Sequence, residues 1–148
     1  MTPALPTADP LESEESLDVF LQAFQACAWP HAAWTHTSHV IMAGCYLLAY
    51  PEAEATERIR QGIRRYNESQ GNVNTADSGY HETLTIFWIQ TLRAWLAREP
   101  TGRIRLDVIR RLAGKFGPRR DLYKDYYSFD VPRSREARAR WIAPDRVR

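Results

Sequence analysis

Apolar side chains recur along this chain every three or four residues, and proline or glycine cuts the recurrence at each interval. Leu17, Phe20, Leu21 and Phe24 share one helical face before Pro30. Ile59, Ile63 and Tyr66 form a narrower edge before Gly71, and Leu84, Trp88, Leu92 and Trp95 a broad one before Pro100. That period belongs to amphipathic helix, and no stretch alternates apolar with polar residues as a half-buried strand does. The pattern predicts helices over residues 13–29, 35–50, 51–70, 80–98 and 103–113. A short one is expected over 121–127, and a further segment over 135–141.

A chain of 148 residues is long enough for one well-packed core. The expected fold is all-α, a single-domain bundle of about five or six helices over residues 13–131. A proline-rich flexible arm over 1–12 precedes it, and a tail over 132–148 packs on the bundle or trails from it. Thr35 reads as the N-cap of the second helix, and Pro51 suits the first turn of the third. The fourth helix, the most apolar all round, reads as the centre of the bundle.

Three of the four histidines stand at the beginnings of apolar stretches. Trp34-Thr35-His36-Thr37-Ser38-His39 opens the second helix, and Tyr80-His81-Glu82-Thr83 the fourth. His36 and His39, three residues apart, share a helix face. Both continue a stripe through Ala43 and Tyr46, so they face inward, and Ala43 is small enough to leave room for a guest. Imidazole is the commonest metal ligand and the usual acid or base near neutral pH. Catalytic metal sites use three protein ligands and keep one position open. Bundles build such sites from facing helices. His36, His39 and His81 meet that count, with Glu82 as a fourth ligand or as a base.

The reading is therefore a small metal-dependent enzyme acting on a small organic molecule, either an oxidoreductase or a hydrolase or lyase. The nitrogen-rich set does not choose among zinc, iron, copper and nickel. Glu82, His81 and Tyr80 are the expected catalytic residues. Trp34, Ala43, Tyr46, Thr85 and Trp88 are the expected substrate pocket. The alternative keeps the pocket and drops the metal: His81 with Glu82, or His36 with His39, does acid–base work, and Tyr80 donates to a developing oxyanion. That suits a lyase, isomerase or cyclase. Ser38 and Ser78 lack the framing of a nucleophile elbow. A third reading is a non-catalytic binding module.

Charge is divided along the chain. Residues 1–57 hold eight acids and no lysine or arginine, whereas 58–148 hold all twenty basic residues against ten acids, a net of +10. Such a split suits a nucleic-acid surface. The basic residues are spread through amphipathic helices and form no block, so the favoured reading is attraction between the two halves within one fold. Cys27 and Cys45 lie in apolar helical patterns and read as small, reduced core residues. The first twenty residues are acidic and lack the apolar core of a signal peptide. No apolar run is long enough for a membrane span. A cytoplasmic protein with a small-molecule substrate, no membrane and no nucleic acid is expected; a homodimer is compatible with the sequence.

The order of motifs resembles a family of small bacterial helical proteins. They are Trp34 to His39 (WTHxxH), Ile63-Arg64-Arg65-Tyr66-Asn67 (IRxYN), Ser78 to Thr85 (SGYHETxT), Tyr126-Tyr127-Ser128, Ser134 to Arg138 (SxEAR) and Pro144-Asp145. The likeness spans about two thirds of the chain. It implies one compact unit and no particular activity.

Overall fold

The computed structural model describes residues 9–146, in which six α-helices form a single compact domain and no strand occurs. They are α1 (Glu14–Gln25), α2 (His36–Ala49), α3 (Glu52–Ser69), α4 (Glu82–Leu96), α5 (Arg105–Phe116) and α6 (Arg135–Ala139). The all-α bundle is therefore as the periodicity requires.

α2, and not α4, is the central helix. It carries no charged residue, every side chain from Val40 to Tyr46 is buried, and it packs against α3, α4 and α5. α4 shows Gln90, Arg93 and Ala94 to water. The approach of α5 is close because of Gly44: a Cβ there would stand 2.4 Å from a Leu112 methyl.

α1 ends earlier than its apolar spacing suggests. Cys27 adopts φ +58°, the amide of Cys27 donates to Phe24 O, and that of Ala28 donates back to Ala23 O at 2.7 Å. This is a Schellman stop, with a cysteine where glycine is usual. Trp29 lies beyond it, buried, with its carbonyl held by the Tyr66 hydroxyl at 2.5 Å. α5 runs past Gly114, which is exposed and tolerated, and stops at Gly117 and Pro118. The short helix expected over 121–127 is a 3₁₀ turn, Leu122–Asp125.

Residues 1–8 of the expected arm lie outside the described residues; Leu11 and Glu12 are fastened, since Arg110 donates to both carbonyls. Arg105 reaches Glu14 at 2.7 Å and Asp18 at 2.8 Å. Arg93 pairs with Glu52. The acidic first part and the basic remainder thus meet in one fold. The tail packs on α4 through Thr83, which is fully buried: its hydroxyl donates to Arg140 O (2.7 Å) and accepts from Ile142 N (3.0 Å). No helix among the described residues is long and apolar enough to cross a membrane. Both cysteines are free; Cys45 is buried, which pushes its thiol up to about 12, and Cys27 is half-buried.

Candidate functional site

α2 begins with a reciprocal cap. Thr35 Oγ1 accepts from Ser38 N, and Ser38 Oγ accepts from Thr35 N. This fixes the first turn and sets His36 and His39 on one face. The face looks into a cavity of about 910 Å³, walled by α2, α3 and α4 and covered by the loop between α3 and α4. Its floor is apolar: Val40, Met42, Ala43, Ile59, Ile63 and Leu92.

The imidazoles are oriented by backbone carbonyls. A carbonyl only accepts, so the ring nitrogen facing it carries the proton. His36 Nε2–H donates to Phe116 O at 3.1 Å, and its ring lies 4.7 Å from Trp88. His39 Nδ1–H donates to Thr35 O at 2.9 Å, and its ring lies 4.2 Å from Trp34. Each keeps one ring nitrogen without a partner among the described residues. Burial lowers both pKa values, and pushes His39 down to about 4. Both rings are therefore neutral at pH 7.

His81 is placed differently from the expectation. It is the N-cap of α4, with Nδ1 accepting from Leu84 N at 3.2 Å. Nε2–H donates to Val131 O at 2.8 Å. Both nitrogens are in use, so His81 is a structural joint whose ring edge touches the cavity. Glu82 points to α3, held by both ends of the Arg60 guanidinium (2.7 and 3.1 Å) and by the Tyr80 hydroxyl at 2.5 Å. It does not line the cavity. A first-turn carboxylate with an arginine on the adjacent helix finds a better partner there than in an apolar chamber. Tyr80 is buried in the wall, but its hydroxyl is committed to Glu82, and burial holds its pKa well above the usual phenol range. The metal set His36, His39, His81 and Glu82 therefore does not assemble. Among the described residues, no three histidine, cysteine, aspartate or glutamate side chains stand where they could hold a metal ion.

Of the expected pocket residues, Trp34, Ala43, Thr85 and Trp88 line the cavity. Tyr46 does not: one position round the helix from Ala43, it turns to α1, where its hydroxyl accepts from Gln25 Nε2 at 3.1 Å. Trp34 stacks on Phe24 at 4.9 Å and lies 4.8 Å from Tyr66, and its buried indole N–H has no partner among the described residues.

The structure adds wall residues that sequence reasoning missed. Asn67 closes α3 beside the cavity, and Gly71, Asn72, Val73, Ser78 and Gly79 come from the covering loop. Gly79 has φ +81°, and a Cβ there would meet Asn74 Oδ1 at 2.5 Å. The loop is tied down by Asp77 to Arg135 (2.7 and 2.8 Å) and by Arg138 to Gly79 O at 2.8 Å. Arg120 and Tyr123 enter from the segment after α5. A run of Gly, Asn and Ser just before a histidine motif was the available signal for the loop; Arg120 sits in an aperiodic turn that carries none.

Comparison of the chain with protein-family models, curated proteins and solved structures gives no match.

Proposed function

We propose that this protein binds a small organic molecule with an apolar body in the cavity between α2, α3 and α4, and that His36 and His39 meet it as neutral bases without a metal. One observation carries the reading. Two imidazoles in the wall each spend their N–H on a backbone carbonyl, and the other nitrogen is unengaged among the described residues. A carbonyl on one nitrogen fixes the tautomer and ring orientation that an acceptor or general base needs. The size and apolar lining are those of small-molecule sites. Of the two rings, His36 is the better proton acceptor. His39, at a pKa of about 4, is a hydrogen-bond acceptor at neutral pH.

The test is binding of N-phenyl-1-naphthylamine, a neutral apolar fluorophore, together with elemental analysis of protein purified without chelator. Saturable binding that is lost on filling the wall with Ala43→Phe, in protein free of stoichiometric metal, is expected. No binding to the folded native chain would overturn the pocket. One equivalent of zinc, iron, copper or nickel, required for binding, would restore the metal reading.

A further inference from the structure

The cavity wall is uneven in charge. Among the described residues, no aspartate or glutamate lines it, and Arg120 is the full positive charge that does. Arg120 is exposed and makes no ion pair or hydrogen bond among the described residues. Arg60 and Arg111, by contrast, are neutralised by Glu82 and Glu99. Asp121, the next residue, does not line the cavity and lies 3.8 Å from Lys124. Tyr123 lines the same wall.

Two helices also begin at this chamber. Thr35 and His36 of α2 and His81 of α4 all contribute to the wall. A helix N-terminus carries a partial positive charge, though Thr35 Oγ1 already caps Ser38 N and His81 Nδ1 caps Leu84 N. The neutral histidines add no charge of their own. After burial, the charge of Arg120 adds to the effects that keep protons off His36 and His39, and Asp121 opposes it at His36.

An unpaired guanidinium beside an apolar chamber, with no carboxylate among the described wall residues, is complementary to an anion. We propose that the guest is an organic monoanion, an aromatic or otherwise apolar body bearing one acidic group, and that Arg120 at the opening receives that group. This rests on the small-molecule reading of the same cavity.

The experiment compares two fluorophores sharing one body: neutral N-phenyl-1-naphthylamine and anionic 8-anilino-1-naphthalenesulfonate. On the full chain at low salt, the anion should bind about tenfold more tightly, the worth of one charge-assisted contact. Arg120→Gln, at an exposed position that leaves the fold intact, should remove that advantage and leave the neutral probe unchanged. Ala43→Phe, with Thr85→Phe as a second filled wall should the first fail to fold, should abolish binding of both. If the neutral probe binds while the anion has no advantage, or Arg120→Gln changes nothing, the anion inference falls and the cavity reading stands. If the anion still binds with the cavity filled, it sits elsewhere and the inference falls. If neither probe binds, both readings fall together.

Discussion

His81 Nε2 donates to the carbonyl of Val131 at 2.8 Å, joining the first residue before α4 to a turn fifty residues further on. The same ring caps α4 through its other nitrogen. One imidazole thereby fixes both the start of the cavity's longest wall and the segment that brings in Pro132.

Replacing His81 separates these two tasks. His81→Ala removes a cap worth about 1 kcal/mol and leaves a buried carbonyl unpaired, at about 1–3 kcal/mol. His81→Asn, a good N-cap, should regain the first and not the second. Urea denaturation should thus rank native above Asn above Ala. Equal stability of all three would remove His81 from its structural role.

Stability should fall as the pH drops from 6.5. His36, His39 and His81 all have folded-state pKa values below the ordinary 6.5, chiefly through burial. Between the folded and unfolded values the unfolded chain binds more protons, so acid favours unfolding. The stability is fully present above pH 6.5 and is lost as pH falls; for His39 the window closes near pH 4. His39 alone accounts for roughly 2–3 kcal/mol across it. Denaturation at pH 7, 6, 5 and 4.5 should show this slope, and His39→Phe should flatten part of it. A native chain equally stable at pH 7 and 4.5 would contradict it.

Cys27→Gly should stabilise the protein. Cys27 sits at φ +58°, where a side chain is strained, and its thiol makes only a long contact to Arg65 O at 3.9 Å. Relief of the left-handed strain is worth about 1 kcal/mol, partly offset by the larger entropy of an unfolded glycine. A midpoint of thermal unfolding a few degrees higher is expected; a lower one would mean that the thiol packs better than its contacts suggest.

Thr83→Val keeps the shape of a fully buried side chain and deletes its hydroxyl. Arg140 O and Ile142 N then lose their partner, at about 0.5–1.5 kcal/mol for each hydrogen bond. The tail should loosen, and the arginines at 138, 140 and 146 should be cut by trypsin faster than in the native chain. Unchanged cleavage would show that Tyr127 OH, which donates to Ile142 O at 2.7 Å, holds the tail without Thr83.

The sequence by itself determined the helices, the inward face of His36 and His39, and the cap at Thr35, because period, proline and capping chemistry act over a few residues. It also placed Trp34, Ala43, Thr85 and Trp88 at a pocket, since each follows from the same local face. The fate of the polar atoms of His36, His81 and Glu82 was decided by tertiary structure. His81 and Glu82 looked like site residues until Val131 and Arg60, distant along the chain, took up their nitrogens and oxygens. Arg120 looked unremarkable until folding set it beside an apolar chamber with no carboxylate among its described wall residues. Local periodicity orients a side chain, whereas its chemistry is set by which partner satisfies it, and partners come from anywhere in the chain.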